Sequence, residues 1–375
     1  MLIGIEASRA NKPAKTGVEW YAWHVIQELK KLTPGDKNSW ILYTNAILQG
    51  GLEALPENWF EVRAKWPFPF GWTQFRLAWE MIHRPTDVLF IPGSTMPRVI
   101  PKKTVVTIHD MGFHHLPELY KKRQVHIHEI AVREAVKRAA RIITVSEFTG
   151  RDLVQTYGAD PSRIAITPLG VDHELYRPTN DATAVDECLM RHHLSRPFFM
   201  TVGRIEAKKN IVTLIKAFTD FKSRRGIGDP YKLVLAGIPG FGYDAVKKAI
   251  AASSVARDII ELGYLPEADK PLLLSAASAL IHPSKYEGFG IPVVEAMACG
   301  CPVLSSNATS LPEVIGEGNG ILFSPDDTES MVAAMQRIIS DDELVTRLKA
   351  AGIARAAGFT WEQTAKLTLP VLTAW

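Results

Sequence analysis

The stretch "KYEGFGIPVVEAMACG", residues 285–300, decides how the chain is read. It places Glu287 and Glu295 eight positions apart, with a Gly-Phe-Gly turn and Pro292 between them. Proline suits the first turn of a helix and glycine the position past its end, so the spacing predicts a short helix over 292–299, closed by Gly300. Glu287 then lies on the loop that enters the helix, and Glu295 one turn inside it. An acid at a helix start can serve the dipole and an acid in a turn can be plain turn chemistry. Taken together, beside glycines that bare backbone amides, the two carboxylates suit a ligand with hydroxyls and phosphate.

Working outward, short apolar runs alternate with helical stretches along almost all 375 residues. That rhythm predicts parallel sheets covered by helices on both faces, an α/β chain. The first half offers strands at 2–7, 40–45, 88–91, 104–109 and 141–146, with a helix after Tyr120. Between 168 and 197 the rhythm gives way to prolines, charges and polar residues, a linker composition. A second series follows at 198–203, 231–237, 258–263, 277–283, 302–306 and 320–323. We therefore expect an N-terminal domain over 1–172, a linker over 173–197 and a C-terminal domain over 198–356. A last helix over 357–375 is expected to cross back to the first domain. In such sheets ligands collect where strands end and helices begin.

Composition narrows the function classes. Hydrophobic content of 46% and charged content of 22% are those of a globular protein, and a net charge of +3 gives no case for nucleic acid. No apolar run is long enough for a membrane span and no leader pattern is evident, so a cytoplasmic location is expected. Cys188 stands alone, and Cys299 and Cys301 lack a matching second pair, so we assign no metal.

Further candidate sites flank the strands. After "FFMTVG" comes "GRIEAKKN", where Gly203 allows close approach and Arg204 and Lys209 bracket the entry to a helix near Asn210. Singly these are solvated helix-end charges; jointly, two cations, free amides and a glycine describe a phosphate site. A lysine at a helix start is unfavourable for the dipole, as if it awaited an anion. "LVLAGIPGFG" runs a strand through Gly237 into a glycine-rich turn, by itself as much a chain reversal as a binding loop. In "AKWPFPFGWTQFRLAW", residues 64–79, Pro67 and Pro69 exclude a continuous helix. Aromatic faces there can stack on sugars or sit at a lipid headgroup layer. The spacing of Trp72, Phe75 and Trp79 favours core for that part.

The segments "VGRIEAKKN", "AGIPG", "LGYLPEADKPLLLSAASALIHPSKYEGFGIPVVEAMACGCPVLSSNATSLPEVIG" and "GILFSPDD" resemble the nucleotide-sugar-binding half of retaining glycosyltransferases of family 4, with the two glutamates matching an E-x7-E motif. "VVTIHDMGFHHLPELY" and "RIITVSEFTGRDLVQTYGADPSRIAITPLGVD" extend the resemblance back to about residue 87. It implies the GT-B fold: two Rossmann-like, doubly wound domains facing a central cleft, the first on the acceptor side.

The resemblance further implies that Arg204 and Lys209 hold a donor diphosphate and Glu295 the ribose hydroxyls. Glu287 would bind hydroxyls of the donor sugar. The amides of Gly288, Phe289 and Gly290, with Gly203 and Gly237, would complete the donor contacts. His109 would reach the sugar from the opposite wall, and Gly17, in "ASRANKPAKTGVEW", the phosphates or the acceptor. The implied activity is metal-independent transfer of a hexose from a nucleoside-diphosphate sugar to an acceptor hydroxyl with retention, and no cofactor is needed. First-half likeness to bacterial mannosyltransferases points to GDP-mannose over UDP-glucose. A saccharide or lipid-linked acceptor would bring peripheral contact with the inner face of the membrane. A sugar-nucleotide epimerase or phosphorylase, or a non-catalytic binder of the same architecture, are the rival readings; an epimerase would need acid and base groups converging on the sugar, and no such set is evident.

Overall fold

The computed structural model describes residues 1–68 and 70–375; Pro69, one of the two prolines expected to interrupt a helix, lies outside the described residues. The chain divides into two compact units. The first comprises Met1–His115, Arg123–Gly170 and Thr360–Trp375, the second Leu116–Lys122 and Val171–Phe359.

The first unit is built on a seven-stranded parallel sheet: β1 (Leu2–Glu6), β2 (Ser39–Thr44), β3 (Trp59–Arg63), β4 (Val88–Ile91), β5 (Lys103–Ile108), β6 (Arg141–Thr144) and β7 (Ile164–Ile166). Its order is β3-β2-β1-β4-β5-β6-β7, so the winding reverses between β1 and β4. The second unit carries β8 (Phe198–Val202), β9 (Lys232–Ala236), β10 (Ile259–Gly263), β11 (Ala279–His282), β12 (Val303–Ser306) and β13 (Ile321–Phe323). Its order is β10-β9-β8-β11-β12-β13, with the reversal between β8 and β11. Both are doubly wound α/β sheets, as the alternation predicts. Strands β4, β8, β11 and β12 are buried along their whole length, which is why they read as unbroken apolar runs.

Two strands escape the sequence reading, and both are edges. Strand β3 buries only Trp59 fully, stacked 5.0 Å from Trp40, and β7 is three residues long. Strand β3 turns most of its side chains to water and β7 is too short to write a run of apolar residues, whereas β10 and β13, the edges of the second sheet, are still read from sequence.

Helix ends follow their caps. Ser146 accepts from the Thr149 amide to open the helix Glu147–Tyr157, and Gly158, at φ 66°, closes it. The last helix, Trp361–Thr373, belongs to the first unit and packs on the helix Gly17–Leu32, its Trp361 ring stacked 4.4 Å from His24. Thr364 Oγ1 donates to the Pro168 carbonyl at 2.7 Å. A side chain at Gly170 would bring its Cβ within 2.2 Å of the Trp361 nitrogen, so that close approach requires glycine.

Three expectations are corrected. The interval 173–197 is not a bare linker: it contains the helix Ala182–Arg191, capped by Asp181 and packed on the helix Asp269–Ala276 within the second unit. Residues 116–122 count with the second unit although they fall inside the expected first domain. Among the aromatics expected as core, Trp72 is buried, but Phe75 and Trp79 are each 47% exposed. The cause is a π-helical turn over Trp72–Arg76, in which the Leu77 amide reaches back five residues to the Trp72 carbonyl. The wider turn puts Trp72 and Leu77 on one face and rotates Phe75 to the other. Among the described residues no helix is long and apolar enough to cross a membrane.

Candidate active site

The sheet reversal in the second unit lies between β8 and β11, and the candidate residues of that unit issue from the ends of these strands. Such a switch point opens a crevice, because the connections on either side lead to opposite faces of the sheet. Gly203, Arg204, Lys209, His282, Pro283 and Ser284 line one crevice here.

After β8 the chain turns through Gly203, makes a single 3-10 turn over Ala207–Lys209 and enters the helix Ile211–Arg225 from Asn210, itself left-handed at φ 59°. The Asn210 side-chain amide donates to the Pro325 carbonyl at 2.6 Å, fixing the entry. The Gly237 turn after β9 presses on this loop: an added Cβ would fall 1.8 Å from the Gly203 carbonyl oxygen. Gly237 is thus demanded by backbone-to-backbone approach, and Gly203 by its positive φ of 128°.

After β11 the loop carries Glu287 against two residues of that crevice, Lys209 and His282. Its Oε1 accepts from Lys209 Nζ at 2.5 Å and meets His282 Nε2 at 3.1 Å. The loop is held from behind: the Glu287 amide donates to Thr309 Oγ1 at 3.0 Å, and Ser310 Oγ donates to the carbonyls of Glu287 and Phe289 at 2.9 and 3.2 Å. Gly290, at φ 103°, turns the chain into the helix Ile291–Ala298, one residue earlier than its proline suggests. Burial by itself would raise the Glu287 carboxyl; the Lys209 ammonium, the His282 hydrogen bond and Lys208 outweigh it and hold the group well below the usual carboxylate range. His282, also buried, is pushed down by desolvation and stays neutral despite Glu287.

Lys209 therefore does not stand as the unpaired cation its position suggests, since Glu287 already neutralises it. Arg204 is exposed and has no carboxylate partner among the described residues. Glu295 keeps other company. It is buried, and desolvation raises its carboxyl, opposed by Lys270 and reinforced by the nearby Glu267, to which the Tyr176 hydroxyl donates. Lys270 Nζ donates to Tyr176 Oη at 3.2 Å and to Glu267 at 2.9 Å. Tyr176, His282, Lys270, Thr309 and Ser310 were not identified from sequence. His282 alone had a signal, five residues ahead of Glu287 at a strand's end.

In the first unit, His109 follows β5 and is half-buried; desolvation lowers its pKa to about 4 although the Pro92 carbonyl faces Nε2 at 3.3 Å. Gly17 begins its helix with open space above it, for a Cβ there would meet nothing within 4 Å. The Glu19 carboxylate reaches back to accept from the Thr16 amide at 3.2 Å, which leaves the helix start well ordered.

Cys188, His192 and Asp269 bring ligand-type atoms within 4.8 Å of one another. Arg191 and His192 both already pair with Asp269, at 2.9 and 2.8 Å, so the cluster pins two helices of the second unit together. Cys299 and Cys301 are buried free thiols at a helix end.

Residues 16–175 match the family described as Glycosyltransferase Family 4, and residues 191–355 match Glycosyl transferases group 1. An O-antigen chain mannosyltransferase B of Escherichia coli is 31% identical over 78% of this chain and 76% of its own length. A D-inositol 3-phosphate glycosyltransferase of Nocardia farcinica is 30% identical over 64% of this chain and 53% of its own. In structure, a sucrose-phosphate synthase of Thermosynechococcus elongatus superposes over the full length of both chains with a TM-score of 0.76 at 18% identity, and Anabaena HepE, solved with UDP and glucose, over 100% of this chain and 99% of its own at 0.75 and 19%. The chain belongs to the family 4, group 1 glycosyltransferases.

Proposed function

We propose that the protein transfers a hexose, mannose from GDP-mannose, to a hydroxyl of a saccharide or lipid-linked acceptor in polysaccharide biosynthesis, with retention at the anomeric carbon. The observation that carries this reading is that Arg204 and Lys209 line the crevice at the β8–β11 reversal, with Glu287 paired to Lys209 beside it. The relation to an O-antigen mannosyltransferase supports mannose over glucose, and a nucleotide sugar as donor fits a fold neighbour solved with UDP-glucose.

As the glycosidic bond breaks, negative charge grows on the departing diphosphate. Arg204 and Lys209, with the amides of Gly288, Phe289 and Gly290, accept that charge, the work a divalent metal does elsewhere. Glu287, held ionised, accepts from hydroxyls of the donor sugar, and Glu295 from those of the ribose. Retention follows a same-face route in which the leaving phosphate takes the acceptor's proton, so no side chain serves as nucleophile. The first unit takes the acceptor. Within it, neutral His109 and the helix start at Gly17 supply hydrogen-bonding groups.

The test is a thermal-shift comparison of GDP, UDP and ADP, followed by nuclear magnetic resonance of the product. A nucleotide at 100 times its Kd adds about 2.7 kcal/mol of stability. GDP alone is expected to give the shift, and an α-linked product from the α-configured donor is expected. A shift with UDP alone overturns the GDP-mannose assignment, and an inverted product overturns retention.

A further inference from the structure

His282 is the last residue of β11, a strand buried along its whole length, and is itself only 1% exposed. It stands in register with Ser305 of β12, whose Oγ donates to the His282 carbonyl at 3.4 Å. The ring is therefore placed by the sheet. An imidazole this deep is costly to bury unless its nitrogens find partners. Its Nε2 lies 3.1 Å from Glu287 Oε1 and 3.3 Å from Ser284 Oγ.

An ionised carboxylate is an acceptor only, so the ring nitrogen facing it carries the proton. Because burial also keeps the imidazole neutral, the tautomer with hydrogen on Nε2 is the one assigned here. Lys209 Nζ meets the same oxygen, Oε1. The two donors differ in kind. Lys209 is an ammonium on a long flexible stem, at the end of the 3-10 turn that follows Arg204, whereas His282 is a neutral ring on a short stem anchored in β11. A diphosphate draws an ammonium more strongly than it draws a neutral N–H. An arriving donor therefore competes for Lys209 and leaves His282 in place.

We propose that His282 is a positioning residue for Glu287: its hydrogen bond holds Oε1 when the donor diphosphate draws Lys209 away, so that the carboxylate stays ionised and its other oxygen stays aimed at the sugar hydroxyls. A buried carboxylate deserted by its ammonium and given no other donor takes up a proton or keeps the ammonium from the phosphate. The first outcome weakens the grip on the sugar, and the second removes a cation from the leaving group. The neutrality of the ring is what separates the two tasks, since a second cation here would itself be drawn to the diphosphate. The inference rests on the reading of Glu287 as the group that binds donor-sugar hydroxyls.

The experiment is a double-mutant cycle on the full chain. Turnover is followed as release of nucleoside diphosphate from GDP-mannose or, should that be inert, from UDP-glucose. The variants are His282→Asn, His282→Gln, Glu287→Gln and His282→Asn/Glu287→Gln. A glutamine amide nitrogen reaches the place of Nε2, and an asparagine falls short of it. Expected is a kcat about tenfold lower in His282→Asn, recovery to within about threefold of the parent in His282→Gln, and no further loss when His282→Asn is added to Glu287→Gln. A purely structural role would add its loss in either background. Additive losses, or parent-like turnover of His282→Asn, overturn the inference while leaving the Glu287 reading intact. Parent-like turnover of Glu287→Gln overturns that reading, and the inference with it. Nitrogen-15 spectra of the histidine-labelled parent need no variant to fold. The His282 ring should be neutral with its proton on Nε2, both free and at saturating GDP or UDP, whichever binds. A proton on Nδ1 alone, or on both nitrogens, in that complex overturns the inference.

Discussion

Lys209 and Glu287, 78 positions apart in the chain, meet through a single ion pair at 2.5 Å, with side chains only 15% and 10% exposed. The cation meant for a phosphate and the acid meant for a sugar are thus one unit before any ligand arrives. The resting site is consequently near neutral at its centre, and ligand binding repartitions an existing pair.

Removing either partner has unequal consequences. Lys209→Met leaves the Glu287 carboxylate buried without its direct ion-pair partner, with His282 and the field of Lys208 in its place, which should cost about 3 kcal/mol of stability, measurable by urea unfolding. Glu287→Gln frees Lys209 for an incoming anion. It should leave nucleoside-diphosphate affinity within about threefold of the parent by calorimetry while lowering kcat, because the lost contact is to the sugar.

Arg204 is exposed and has no carboxylate partner among the described residues, so its loss should not touch folding. Arg204→Ala is expected to lower kcat by about 10²-fold with an unchanged Tm, the pattern of charge stabilisation made in the transition state. Parent-like turnover in steady-state assays would remove Arg204 from the mechanism.

Glu295 separates nucleoside binding from sugar chemistry. Glu295→Ala should weaken nucleoside-diphosphate affinity about tenfold, by calorimetry, the value of a lost hydrogen bond to a charged group. Glucose- or mannose-specific turnover at saturating donor should change far less. Equal loss in both would place Glu295 elsewhere in the reaction.

His109 gives a signature in pH. Its folded pKa near 4 lies below the ordinary 6.5, so between those values the unfolded chain binds the extra proton and stability falls as the solution is acidified through this window. His109→Asn should flatten that stretch of the stability profile, followed by urea unfolding from pH 7 to 4. In the parent the ring stays neutral, and its resonances should not titrate between pH 5.5 and 8.

Gly237→Ala tests the paired turns. The new Cβ would meet the Gly203 carbonyl at 1.8 Å, so the loop bearing Arg204 must shift. Donor turnover should fall at least as far as in Arg204→Ala, a 1 Å misplacement being worth about 10²-fold, although no side chain was removed.

The alternation of apolar runs and helices was enough to give two parallel α/β sheets and eleven of the thirteen strands among the described residues, because buried strands write their burial into consecutive residues; Arg204, Lys209 and Glu287 stood out through local motifs and the family resemblance instead. The edge strands β3 and β7 were invisible for the converse reason. Only the tertiary structure decided that Lys209 and Glu287 pair, that His282 lies against them and that Tyr176, in what read as a linker, turns toward Glu295. Those meetings depend on which strands lie side by side at the β8–β11 reversal, and strand order leaves no local trace in composition or period. The same holds for the outward aromatics: a π-helical turn after Gly71 shifts the helical phase, and a period counted along the chain assigns Phe75 and Trp79 to the wrong face.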